Sequence, residues 1–178
     1  MKTMKTTMVM AAGFLSAGLW MQPLLVQAEG FASGRFVREN AAGGVSGGSG
    51  RALQGPAGGG YRSSRFATDG QGNAVGGSSA AFRTPNGAGA RAGSTTHASD
   101  GTTTHRSGAA ASGARGQFDS HGRSSFNPET GLDASRSTDV SSHQSEASYS
   151  GDTSYTKSEG VTHSSSCTNA AGDPVECR

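Results

Sequence analysis

The feature that most constrains this chain is a shortage of side chains large enough to build a core. Between Glu29 and Arg178 lie 150 residues, of which Leu, Val and Phe supply 14 and Ile none. Gly, Ser, Ala and Thr supply 87 of the same 150. A globular domain carries more than twice that share of large apolar residues. A chain that buries so little cannot offset the entropy of ordering through a hydrophobic interior. An ordinary enzyme core and a multi-spanning membrane protein are therefore excluded. The fold class expected is a mostly disordered, low-complexity chain, with an all-β array of short polar hairpins in its central region.

The first 28 residues differ in kind. Lys2 and Lys5 precede an apolar run from Met8 to Met21, Gln22-Pro23 breaks it, and Val26-Gln27-Ala28 presents small residues at the −3 and −1 positions of a cleavage site. This is the three-part layout of a secretory signal peptide, with cleavage expected between Ala28 and Glu29. The alternative is a transmembrane anchor, but the uninterrupted run of 14 residues is short for a bilayer core. Export is expected, to the periplasm, the cell surface or the medium, with no stable membrane span after cleavage. Two cysteines remain, Cys167 and Cys177, and an even count in an oxidising compartment reads as one disulfide. Gly172-Asp173-Pro174 supplies the turn that brings them together. A metal site and an intermolecular bridge are the rival readings.

Beyond the leader lie four zones: a Gly-rich flexible linker (29–60), a weakly repetitive hairpin region (61–128), an acidic Ser/Thr-rich tract (129–166) and a disulfide-closed loop (167–178). In the second zone Ala67-Thr68-Asp69-Gly70 recurs as Ala98-Ser99-Asp100-Gly101, 31 positions on, with Asn86-Gly87 between them. Asp-Gly and Asn-Gly are strong hairpin-turn dipeptides, because a type I′ turn needs positive φ at both central positions. Their intervals suit strands of about six residues. With Asp100-Gly101 as a two-residue turn, His97 faces Thr104, and His97 and His105 point to opposite faces. Neither face of that hairpin is apolar, so such strands persist only when stacked in an array or assembled with other chains.

Charge is distributed unevenly. Residues 29–128 hold ten Arg against five acids, and residues 129–178 hold three basic residues against eight acids. An anionic polymer could meet Arg62, Arg65, Arg83, Arg91, Arg106 and Arg115, although no dense basic cluster of the nucleic-acid-binding kind is present. The bland alternative is a solvated surface without a partner.

No other constellation gathers catalytic chemistry. The five His (His97, His105, His121, His143, His163) show no metal-ligand spacing. Asp69-Gly-Gln-Gly-Asn73 begins like a calcium loop, but Gln71 is a poor ligand and no distal Glu stands at the required spacing, so it reads as a turn. Asn127-Pro128-Glu129-Thr130-Gly131 has the form of a sorting pentapeptide, but a long polar stretch succeeds it, and it too reads as a turn. No nucleophile elbow or phosphate loop occurs. Neither a catalytic residue nor a cofactor is assigned.

Gln71-Gly72-Asn73-Ala74 resembles part of the curlin repeat of secreted bacterial amyloid fibres. The leader, the Asp-Gly turns and the final cysteine pair together resemble small Gly/Ser/Thr-rich exported proteins of Gram-negative bacteria, a resemblance that implies no particular activity. The function expected is an exported, non-enzymatic structural or interaction protein of the cell envelope or extracellular matrix, capable of self-assembly. The alternatives are a soluble disordered binder of anionic polysaccharide or DNA, and a secreted toxin or antimicrobial peptide.

Overall fold

A computed structural model describes residues 30–177, which form one antiparallel sheet of eleven strands. The strands are β1 (Gly30–Glu39), β2 (Val45–Gly55), β3 (Gly58–Thr68), β4 (Ala74–Thr84), β5 (Gly87–His97), β6 (Thr103–Gly113), β7 (Gly116–Asn127), β8 (Gly131–Ser142), β9 (Ser148–Thr156), β10 (Gly160–Thr168) and β11 (Pro174–Val175). Their order in the sheet is their order in the chain. Among the described residues each strand touches only its chain neighbours, so the sheet neither closes nor folds back on itself. It is a single layer with two bare faces, and none of its described hydrophobic side chains is buried.

The expectation of a mostly disordered chain is thus corrected. The stretch expected to be a flexible linker (29–60) holds β1, β2 and the start of β3, and the acidic tract (129–166) holds β8, β9 and most of β10. Among the described residues there is no buried hydrophobic core, but order does not depend on one here. Ladder hydrogen bonds and a repeated turn chemistry align the strands without a second layer. The signal peptide and its cleavage site at Ala28 and Glu29 lie outside the described residues.

The strands are also longer than the expected six residues, and the repeat is 29 rather than 31. Gly58, Gly87 and Gly116 each open a strand, 29 positions apart. Across β1 to β8, residues separated by this interval stand two strands apart at the same height. Phe36 and Arg65 flank Gly48, and Arg65 and Ser94 flank Gly77. A Cβ at Gly58, Gly87 or Gly116 would collide with the carbonyl of Arg83, Ser112 or Ser141 respectively, again at the 29-residue step.

The two ends of the sheet use different turns. At one end, the two-residue links Pro56-Ala57, Pro85-Asn86 and Ala114-Arg115 join β2 to β3, β4 to β5 and β6 to β7. Asn86 therefore lies in its turn, but Gly87 is already the first residue of β5. At the other end, five-residue loops occupy 40–44, 69–73 and 98–102, and a fourth of the same design, 169–173, joins β10 to β11 at the end of the two-residue links. In each, the amide of the first residue donates to the carbonyl of the fifth, over 2.8–3.1 Å. The fourth residue is Gly43, Gly72, Gly101 or Gly172, with φ of 79°, 95°, 86° and 82°. Side chains at the first position cap three of these loops. Asn40, Asp69 and Asn169 each accept backbone amides through Oδ1. Successive loops are tied together: the Ser99 amide donates to Asn73 Oδ1 at 2.9 Å, and Asn127 Nδ2 donates to Thr102 Oγ1 at 3.0 Å.

These loops account for the false 31-residue repeat. Asp69 is the first residue of its loop and Asp100 the third of its own, so the two Asp-Gly pairs are not equivalent. The 98–102 loop holds five residues rather than two, which moves the β5–β6 register by one. His97 pairs with Thr103 and Thr95 with His105. His97 and His105 consequently share a face, contrary to the expectation that they oppose each other.

Candidate functional site

Alternation along strands sorts the chain onto two faces of different chemistry. The one-residue precision of the ladders keeps the sorting in phase across the sheet. Of the fourteen large hydrophobic side chains left exposed, eleven lie on one face, and only Phe36, Tyr61 and Val75 lie on the other. The first is here called the apolar face and the second the polar face.

Near the two-residue turns one row crosses the whole apolar face. It reads Phe31, Leu53, Gly60, Phe82, Gly89, Ala111, Phe118, Val140, Tyr149, Cys167 and Val175, each paired with the next. The rings lie over neighbouring glycines: a Cβ on Gly89 would fall 2.5 Å from the Phe82 ring, and one on Gly47 the same distance from Phe66. The glycines thus cover themselves with aromatic surface, as edge glycines do in stable sheets. Two residues further along the strands, still on the apolar face, lies a row containing Arg51, Arg62, Ala80, Arg91 and Ala109. The two rows enclose an open concavity of about 610 Å³ floored by Ala and Gly.

Charge is sorted as well. Arg35, Arg51, Arg62, Arg91 and Arg136 point to the apolar face, whose one strand acid is Glu39 at the end of β1. The polar face carries Arg38, Arg65, Arg83, Arg106 and Arg123 together with Asp119, Asp133, Asp139 and Asp152, set among Ser and Thr. The one ion pair among the described residues is Asp119–His121 at 3.0 Å, on the exposed surface.

The six arginines expected to form an anion site are therefore divided. Arg62 and Arg91 share the apolar face, Arg65, Arg83 and Arg106 the polar face, and Arg115 sits in a turn. Arg51 belongs with Arg62 and Arg91, but it falls in the stretch whose composition reads as linker. The signal that finds it is position: Arg51 lies two residues before Leu53 as Arg62 lies two after Gly60.

The remaining polar groups serve the fold. Each of His97, His105 and His163 hydrogen-bonds a cross-strand Thr through Nδ1, at 2.8–2.9 Å. Among the described residues no three His, Cys, Asp or Glu stand close enough to share a metal ion. Ser120 is the one buried polar residue described, and its hydroxyl donates to the Ser137 carbonyl while Arg136 Nε donates to it. That geometry ties strands together and offers no base to activate a nucleophile. Asp69 is held below the usual carboxylate pKa by the Asn73 side chain and the Gln71 amide, and Asp100 by the Thr102 amide.

Cys167 and Cys177 form a disulfide with their Cα atoms 5.4 Å apart, as expected. The loop it closes docks β11 against β10, pairing Val175 with Cys167 and Pro174 with Thr168. No described helix is long and apolar enough to cross a membrane. Comparison with protein-family models, curated proteins and solved structures yields no match.

Proposed function

We propose that this chain is an exported, non-enzymatic structural or interaction protein of the cell envelope or extracellular matrix, and that it self-assembles through its first strand. The observation that carries this reading is the single layer itself: an eleven-stranded sheet with its large apolar residues exposed has surfaces suited to partners and, among the described residues, no buried hydrophobic core to enclose a site. The disulfide is in keeping with an oxidising compartment.

The two edges differ. β1 is a ten-residue edge strand, exposed throughout and without proline. Such an edge is a template for another strand. Two copies of β1 paired antiparallel about Gly34 set Phe31 against Val37 and Ala32 against Phe36, with Ser33 against Arg35 and Gly30 against Arg38, so no like charges meet between Gly30 and Arg38. A pairing of this kind is self-complementary, as two-fold symmetry requires. The opposite edge is blunted by the proline-bearing β11 and its disulfide.

The test is light scattering on the oxidised protein recovered from an exporting bacterium. A dimer is expected, and Phe31→Lys with Val37→Lys should return it to a monomer with its strand content intact. A monomer at all concentrations overturns the β1 assembly. Retention in the cytoplasm, with the leader still attached, overturns the exported reading.

A further inference from the structure

We infer that the apolar face is a docking surface for an anionic lipid bilayer. The inference rests on the exported, envelope-facing reading and names the partner of that same sheet. Three observations carry it. Eleven of the fourteen exposed large apolar side chains lie on this face. The face carries five Arg and one strand acid, so its charge is strongly positive. Arg51 and Arg62 stand directly opposite each other beside the apolar row, with no carboxylate bonded to either among the described residues, whereas the like pair Arg106–Arg123 on the polar face stands among Ser, Gly and His. Like charges paired across strands are unfavourable unless an anion lies between or above them.

Charge decides among the occupants an apolar face could have. A second copy stacked face to face would bury both sets of arginines in a dry layer that offers almost no carboxylate, and unpaired buried charges are costly. A neutral apolar partner leaves the arginines equally unpaired. A surface of anionic headgroups over acyl chains satisfies both components. The Phe31, Phe82 and Phe118 rings enter the interface, while the guanidinium groups one row away reach the phosphates in bidentate geometry. The polar face, with its Asp, Ser and Thr, then remains in water. The apolar row spans the sheet from β1 to β11, which fits an extended surface better than a single bound molecule.

The experiment is vesicle co-sedimentation of the oxidised, exported protein. One set of vesicles contains phosphatidylglycerol in phosphatidylcholine, and the other phosphatidylcholine alone. Binding is expected to the first set and to weaken as salt rises. Replacing Arg51, Arg62 and Arg91 together by Ser should reduce that partition about a hundredfold. The matched triple on the polar face (Arg65→Ser, Arg83→Ser, Arg106→Ser) should leave it within a fewfold of the parent. Both triples alter exposed side chains, and circular dichroism checks that strand content is kept. Phe82→Ser supplies an independent loss on the apolar face. Equal loss in the two triples, equal binding to neutral vesicles, or no binding to either set overturns the inference. Protein that is exported and dimeric yet indifferent to vesicles removes this inference alone and leaves the assembly through β1 standing.

Discussion

The seven strands from β1 to β7 and the four from β8 to β11 are built from similar residues, yet they keep register by different means. In the first region every five-residue loop has Gly at its fourth position, and the same height recurs every 29 residues. In the second, the turn between β8 and β9, which succeeds the two-residue links, lengthens to the five residues 143–147 and holds Glu146 at φ of 51°, the one non-glycine residue described at positive φ. There the β8–β9 pairing departs from the 29-residue step: Ser135 faces Ser154, where the step from Arg106–Arg123 would bring it to Asp152. The Cys167–Cys177 disulfide then closes the end of the sheet. The contrast teaches that turn glycines, more than strand side chains, hold this sheet in phase. Where Ser145 stands in place of the next strand-opening glycine, the link lengthens to five residues and the ladder shifts by two, which preserves the faces, and a covalent bond secures the last two strands.

The most damaging way to break this comparison is to remove the glycines from the regular region. Gly72→Val with Gly101→Val puts β-branched residues at positive φ in two consecutive loops, at a cost of about 1–2 kcal/mol each from backbone strain alone. At Gly101 the added Cβ would also fall 2.8 Å from the Pro128 ring. Circular dichroism of the double variant should lose most of its strand signal. A spectrum unchanged from the parent would mean that the loops adapt to the strands rather than direct them.

Part of this architecture is legible in the residues. The Asp-Gly and Asn-Gly pairs announce turns, the cysteine spacing announces the disulfide, and the shortage of large apolar residues announces the missing core. The hidden part has physical causes. Asp69 and Asp100 look equivalent but do different jobs in their loops, so matching them gives the wrong repeat. The better markers are Pro56 with Pro85 and the glycines at 58, 87 and 116, which hold the same place in successive hairpins. The two faces depend on register, and a shift of one residue exchanges them. A two-residue turn at Asp100-Gly101 misplaces the pairing by that single residue, so neither the shared face of His97 and His105 nor the Arg51–Arg62–Arg91 row emerges from it.

Reduction of the disulfide tests the second region. Closing an 11-residue loop is worth about 2.5–3 kcal/mol in the chain-entropy account. Reduced protein should release β11 and expose the full length of β10, while β1 to β7 remain paired. Amide exchange should therefore quicken at Cys167 and Thr168 and stay slow at the centre of β4. With both edges open, the reduced protein should also associate into larger species than the oxidised one. Uniform loss of protection across the sheet would show that the two regions unfold as one.

A smaller effect runs the other way. Glu146→Gly puts in the β8–β9 loop a residue at ease in the left-handed region, and removes a conformation that costs an L-residue about 1 kcal/mol or more. The midpoint of chemical denaturation should rise accordingly, provided that the transition is cooperative. Gly is more flexible in the unfolded chain, which offsets part of the gain. A fall in stability would mean that the Glu146 side chain does more than occupy an awkward turn.

The finest distinction between the regions is their response to acid. The loop at 69–73 is capped by a carboxylate and that at 98–102 contains one, and both Asp69 and Asp100 are held below the usual carboxylate pKa by the hydrogen bonds they accept. A carboxylate whose folded pKa is depressed contributes stability above its unfolded value, and that contribution is lost as pH falls through the folded one. These two loops should accordingly loosen below about pH 4, the usual aspartate value. The loop at 169–173 has the same backbone bonds but is capped by Asn169, whose amide does not titrate. Its Ala171 amide should keep its exchange behaviour over the same range, once the intrinsic pH dependence is removed, while those of Gln71, Asn73 and Thr102 become less protected. Asp69→Asn, which installs the cap found at Asn40 and Asn169, should abolish the acid response of Gln71 while leaving that of Thr102. An unaltered response at Gln71 in this variant would transfer the pH dependence from the cap to the sheet as a whole, and the two regions would then differ in their turns alone.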